Sequence, residues 1–508
     1  MAPPPVRDAR APPPHVVVLT SPGAGHVVPV AELASRLAAN HGVTSTVVTF
    51  ANLSSPAHSS PLASLPPGVR TVELPAVPLD DLPSDAHLVT RILTVVRRTL
   101  PHLRDLLRSL MDEGVVTAFL TDMLCPAALA VAEDLGVPRF VFYTSSLMSL
   151  VSLLHAPELA RATTCECRDL PEPVRLPGCP PLRGDDLFEP LQDRAKPVYD
   201  LVVGLGIDYL RADGFVVNTF DAMEHETLVA FQEFFSGEGG GVHPPAYAVG
   251  PFVRSACTDQ EEEAAEHYEC VRWLDAQPDG SVLYVCFGSG GTLSMEQNAE
   301  LAAGLEASGH RFLWVVRHPS DKDCSASYFG RTSAGHSDDD PLSYLPEGFI
   351  ERTKTKHVGL CVPPWAPQVE ILNHRAVGGF LSHAGWNSTL EAAAAGVPVL
   401  AWPLFAEQRM NAVKLSSSES EGGVGVALRV RPREEDGMVP REDVSTLVRE
   451  IMAGEKGAKA RKKAVELREE AEKAAAPGGP AHRALAAVVA NWIAQRELVR
   501  EDPILSYA

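Results

Sequence analysis

Apolar and polar residues along this chain fall into alternating blocks. From His15, VVVLT is a short β-branched run of the kind a buried strand needs, and SPGAGH follows as a glycine-rich turn. VVPVAELASRLAAN then spaces its apolar residues at helical intervals and stops near Gly42, and TSTVVTF is a second strand. Strand, turn, helix and strand make a βαβ unit, which builds a parallel sheet. The pattern returns near Ser281, where SVLYVCF, GSGGTLS, MEQNAELAAGLEASG and RFLWVV follow in the same order. Two such openings predict two doubly wound α/β domains in tandem. Further strands are expected at VVTAFL, RFVFYT, GFVVNTF and AYAVG in the first half. In the second half they are expected at VGLCV, GGFLS, VPVLAW and VGVAL, and an amphipathic helix from about Pro480 to Val499 closes the chain.

The 508 residues are enough for two or more domains. The proline-rich residues 1–14 read as a disordered tail, residues 15–254 as the first domain and residues 255–270 as a linker containing the acidic stretch Thr258–Glu266. Residues 271–479 form the second domain and residues 480–508 the closing helix. The polar, aperiodic residues 320–343 read as a surface loop, and its Asp338, Asp339 and Asp340 as solvated charge rather than a metal site. With 44 Lys and Arg against 65 Asp and Glu, the net charge is −21. That balance argues against nucleic acid or an anionic membrane surface as a partner, because both need a cationic surplus. Nine dispersed cysteines form no CxxC pair, and Cys165 and Cys167 read as loop cysteines. The first residues show no secretory-type apolar run, and no stretch reaches the roughly 18 apolar residues of a spanning helix. A cytoplasmic protein without a membrane span is expected.

The glycine-rich turns invite a phosphate. A dinucleotide fingerprint needs a third glycine, and the corresponding positions hold Val28 and Leu293. No acidic residue follows TSTVVTF and neither turn has the Lys-Ser/Thr of a P-loop, so NAD and ATP readings lose weight. His26 sits where the first turn meets its helix, at the carboxyl end of the first strand, where open α/β sheets bind ligands. An imidazole there can take a proton from a hydroxyl, and a helix N-terminus is expected to lower its pKa. A plain loop histidine is the competing reading. Asp122 ends VVTAFL. It could orient the histidine and stabilise its imidazolium, or cap the helix beginning near Pro126.

From Trp365 to Gln408 the chain reads WAPQVEILNHRAVGGFLSHAGWNSTLEAAAAGVPVLAWPLFAEQ. Trp365 offers an aromatic platform and Gln368 an amide. The strand GGFLS leads into a turn carrying His383, Trp386, Asn387 and Ser388, which opens a helix containing Glu391. Donors at a helix N-terminus make an anion site, and Glu391 could hold a ribose diol. Ser388 and Glu391 also satisfy a capping box, with Gly396 as the helix stop.

This segment closely resembles the signature box of plant family 1 UDP-dependent glycosyltransferases. Trp365-Ala-Pro-Gln368 opens it, H-x-G-W-N-S lies within it and Glu407-Gln408 closes it. SPGAGH, VNTFDAMEHE, YAVGPF, WLDAQPDGSVLYVCFGS and GHRFLWVVR extend the likeness over about residues 15–495. One departure is Ala384, where many members have Cys; a small residue is kept. The resemblance implies an α/β fold of GT-B type, two Rossmann-like doubly wound domains facing across a cleft. The first would hold the acceptor and the second the UDP-sugar, with the last helix crossing back to the first.

It implies further that Trp365 stacks on uracil beside Ala366, with Gln368 near and Glu391 on the ribose. His383, Asn387, Ser388 and Ser289 would bind the diphosphate, and Trp386, Glu407 and Gln408 the sugar. Gln408 favours UDP-glucose. His26, assisted by Asp122, would deprotonate the acceptor, whose oxygen attacks the anomeric carbon with inversion. Neither metal nor cofactor is implied. AGHVVPVAELASRL, LPEGFIERT, AWPLFAEQRMNAV and EDGMVPREDV are similar to the branch of hydroquinone and monolignol glucosyltransferases, so a small phenol, an O-glucoside and a monomeric enzyme are expected. Rivals are a C-glucosyltransferase, a flavonoid O-glucosyltransferase and a nucleotide-sugar-binding protein without turnover.

Overall fold

The computed structural model describes residues 13–53, 61–83, 85–114, 116–236, 243–253, 269–326, 328 and 340–501. The acidic stretch Thr258–Glu266, Asp338, Asp339 and residues 1–12 lie outside the described residues.

Two parallel sheets organise the chain. The first contains β1 (His15–Leu19), β2 (Thr44–Phe50), β3 (Val69–Leu74), β4 (Val116–Asp122), β5 (Arg139–Tyr143), β6 (Gly214–Val217) and β7 (Ala246–Ala248) in the order β3-β2-β1-β4-β5-β6-β7. The second contains β8 (Val282–Cys286), β9 (Arg311–Val315), β10 (Gly359–Val362), β11 (Val377–Ser382), β12 (Val399–Ala401) and β13 (Ala427–Arg429) in the order β10-β9-β8-β11-β12-β13. Both are doubly wound. Their central strands are apolar throughout because both faces are covered. Val16 and Val18 face one layer and Val17 and Leu19 the other, all of them buried. In the second sheet Leu283 and Val285 alternate with Val282 and Tyr284 in the same way.

β3 has no counterpart among the expected strands. Its VRTVEL is an edge strand whose Arg70, Thr71 and Glu73 are exposed, so it lacks the apolar run that marks the others. The helix after the first turn spans Ala24–His41 and so begins three residues before the expected Val27. Gly23 caps it with φ 118°, and His26 therefore lies inside the first turn. The closing helix spans Pro480–Glu501. Its Leu485, Val488, Val489 and Trp492 recur at helical spacing and pack with Val16, Val18, Phe140 and Phe142 on the first sheet. The Phe140 and Trp492 rings meet edge to face at 5.8 Å.

Strand order reverses between β1 and β4 in one sheet and between β8 and β11 in the other. Crevices open at such reversals, beyond the carboxyl ends of the strands. His26 and Asp122 flank the first reversal. Ser289 and His383 flank the second.

Candidate active site

The two crevices face each other across a cavity of about 330 Å³. Every expected catalytic and donor-site residue lines it except Asp122, which is fully buried behind His26. Bonds across the cleft hold the walls in register. Asn387 Nδ2 donates to the Gly25 carbonyl at 3.1 Å, the Trp386 indole to the Asn218 carbonyl at 2.7 Å, and Ser145 Oγ to Glu407 Oε1 at 2.9 Å. The Gly25 carbonyl is available because Pro29, four residues on, has no N–H to offer it.

On the first wall, His26 Nδ1 lies 2.9 Å from Asp122 Oδ2. The other carboxylate oxygen accepts from Ser21 Oγ at 2.7 Å and from the Leu124 backbone N–H at 2.9 Å. Asp122 therefore both tethers the chain that follows β4 and orients the histidine. The nearby helical turn Pro126–Ala128 is preceded by Cys125, so Asp122 is not its cap. A carboxylate on Nδ1 assigns the hydrogen there, which leaves Nε2 as the free acceptor of the neutral ring. Burial alone would lower the His26 pKa. The charge and hydrogen bond of Asp122, with the charge of Glu407, outweigh it and raise the pKa. The expected depression by the helix N-terminus is thus overturned: two carboxylates outweigh it.

On the second wall, Trp365 is 59 % exposed and lines the cavity with its aromatic side chain. Gln368 Nε2 donates to Ser388 Oγ at 2.8 Å and to Glu391 Oε2 at 2.6 Å. Burial pushes the Glu391 pKa up to about 7 against the pull of the Gln368 bond, with Glu370 adding to the rise. The helix Trp386–Ala395 is capped by Gly385, with no side chain on its first N–H groups. Ser388 lies within its first turn and not at the cap, so the S-x-x-E capping box is not formed. Gly396 does end the helix, at φ 70°. The open N–H groups are the kind that bind anions. His383 is gripped so closely that a Cβ on Gly288 would fall 2.5 Å from its ring. Burial, then the Arg317 charge, lower its pKa to about 4. Its Nδ1 and the Asn387 Oδ1 are buried without a partner among the described residues.

The residues expected at a sugar are partly committed to the protein. The Trp386 indole is spent on Asn218. Glu407 accepts from Ser145, and Gln408 Oε1 accepts from the Leu404 and Phe405 N–H groups at 2.9 and 3.1 Å. That leaves the Gln408 amide nitrogen for the cavity. Ser289 is exposed, and its carbonyl accepts from Arg317 Nη1 at 3.0 Å. Ala366 is buried at the foot of Trp365. Sequence reasoning missed Ser21, Thr144, Arg317 and Tyr328. The first three follow the ends of β1, β5 and β9, so strand-end position was the available signal. Tyr328 reaches Gly23 from the other domain, which nothing local announces.

Residues 255–456 match the family described as UDP-glucoronosyl and UDP-glucosyl transferase. The chain is 42% identical over 481 residues to hydroquinone glucosyltransferase of Rauvolfia serpentina, covering 94% of this chain and 98% of that one. The structure of Phytolacca americana UGT2, complexed with UDP-2fluoro-glucose and pterostilbene, aligns with TM-score 0.81 and 39% identity, over 94% of this chain and 99% of that one. A UDP-glucosyltransferase from Polygonum tinctorium capable of glucosylating indoxyl, in a complex with 3,4-dichloroaniline, aligns with TM-score 0.84 and 39% identity, over 95% and 99%. The two facing sheets are those of the GT-B fold.

Proposed function

The chain belongs to the plant family 1 UDP-dependent glycosyltransferases, and from that premise we propose that it moves glucose from UDP-glucose to the hydroxyl of a small phenol, with inversion. The observation that carries this reading is the His26–Asp122 pair facing an anion-binding turn across one cavity. His26 Nε2 takes the phenol proton, and Asp122 holds the imidazolium that results. The phenol oxygen bonds to the anomeric carbon as the bond to UDP breaks, and the electron pair leaves on the diphosphate. A donor that is α-linked becomes a β-glucoside. Trp365 and Ala366 hold uracil, with Gln368 and Glu391 on the ribose side. Ser289, His383, Asn387 and Ser388 take the diphosphate. The sugar meets the Trp386 backbone, Glu407 and the Gln408 amide.

The same reading gives residues 15–254 to the acceptor and 271–479 to the donor, with the segment from 480 braced on the acceptor domain. The acceptor end of the cavity is walled by Leu88, Val89, Ile92, Met123, Phe188 and Pro190, which suits a flat apolar ring. Hydroquinone, pterostilbene and indoxyl, named for the relatives, are aromatic hydroxyl compounds, which supports the same class. A cytoplasmic setting is supported by the described cysteines, which are all unpaired. The test is a panel of phenols with UDP-glucose, read by mass spectrometry. Acid-labile monohexosides are expected. Acid-stable products would replace O- by C-glucosylation, and no product from any phenol would overturn the acceptor class.

A further inference from the structure

A UDP-sugar brings a charged diphosphate into a cleft that is poorly supplied with positive charge. The chain carries −21 overall, and Glu189, Glu391 and Glu407 all line the cavity. His383 sits at the anion-binding turn, but its pKa of about 4 makes it neutral near pH 7. It can donate a hydrogen bond there and adds no charge. Among the described residues that line the cavity, Arg317 is the only Lys or Arg.

The setting of Arg317 is unusual for a cation. It stands two residues beyond β9, partly buried, and lines the cavity together with the Gly288–Gly290 turn. One N–H holds that turn through the Ser289 carbonyl. Its Nε is buried with no partner among the described residues, and the side chains that bear on its charge are Cys286 and Tyr284. Burial pushes both of those groups up, so neither ionises near pH 7. A guanidinium carries five N–H donors, and burying one without a counter-ion is costly unless a ligand supplies the anion.

We propose that Arg317 is the cation of the donor site, its guanidinium meeting the diphosphate of the UDP-sugar and supplying the positive charge that His383 does not. The inference rests on the UDP-sugar reading above. Negative charge on the diphosphate grows as the anomeric C–O bond breaks, so a fixed cation there also favours departure of UDP. The neutral His383 and the cationic Arg317 divide the task between them. The histidine gives direction at the turn and the arginine gives charge.

Calorimetric titration of the full chain with UDP and with uridine tests it. Arg317→Met should weaken UDP by at least about tenfold and leave uridine within about twofold. Arg317→Lys should retain most of the UDP affinity, and added salt should weaken UDP less in the Met variant than in the wild type. Equal losses for UDP and uridine would reduce Arg317 to a brace for the Ser289 turn and overturn the proposal, as would unchanged UDP binding. Should Arg317→Met fail to fold, Arg317→Gln replaces it under the same criteria. A wild-type chain that binds neither ligand would remove the donor reading itself, and the proposal with it.

Discussion

Asp122 is without exposure to solvent and takes hydrogen bonds from Ser21, from the Leu124 N–H and, at 3.5 Å, from Thr144. Its bond with His26 sets the behaviour of that ring. A base acts in its unprotonated form, so its rate rises with pH through the His26 pKa. Asp122 and Glu407 raise that pKa, so the acid limb of kcat/KM should lie above the ordinary histidine value of 6.5. In Asp122→Asn the charge is gone and burial dominates. The limb should shift to lower pH, and a profile that stays put would count against the pair. His26→Ala should cost about 10²–10⁴-fold in phenol glucosylation while UDP binding survives; near-normal turnover would remove the base.

Glu391 gives a second pH signature. Its pKa of about 7 in the free protein means that it is partly protonated near neutrality. Ribose hydroxyls donating to the carboxylate favour the ionised form. Uridine affinity should therefore rise as pH rises through about 7, with release of a proton. Calorimetry in buffers of different ionisation heat reads that proton, and Glu391→Gln should abolish it. A wild-type uridine titration that releases no proton at pH 7 would sink the ribose assignment.

At the scale of elements, the segments legible in the sequence were those whose chemistry is local. The central strands are continuous apolar runs, and the glycine turns sit at their carboxyl ends, where β1 and β8 deliver His26 and Ser289. Other features depended on distant packing. VRTVEL hides as β3 because an edge strand does not need an apolar run. Ser388 fitted a helix cap by spacing, yet Gly385 starts the helix and Ser388 instead bonds Gln368 from another segment. Pro29 lies inside the first helix, and its missing N–H frees a carbonyl for a residue of the other domain. The closing helix was legible by its spacing of Leu485, Val488, Val489 and Trp492. Trp492 is fully buried. Trp492→Ala should lower stability by about 3–5 kcal/mol, measured by denaturant unfolding. A loss below about 1 kcal/mol would show that the helix is dispensable to the first domain.

At the scale of the molecule, net charge is a poor guide to what the cleft binds. A chain at −21 belongs to a family of UDP-sugar transferases, and among the described residues lining its cavity the acids are Glu189, Glu391 and Glu407 alone. The two halves meet through contacts set around the cavity: Trp386 with Asn218, Glu407 with Ser145, Asn411 with Ser146 and Arg429 with Asp186. Apolar packing joins them as well, with Met410 and Val413 set in the core of the first half and Phe220 and Met223 in that of the second, so the interface is more than a ring of polar contacts.

The chain also passes between the halves twice. It leaves the first after Val253 and returns to it at Pro480, and Pro251 and Val253 line one cavity together with Ala475 and Ala481. The described ends of the two passages thus stand side by side, at a cavity that shares no lining residue with the one holding His26 and Trp386. Substitutions at that seam can therefore loosen the junction of the halves without touching any residue of the cleft.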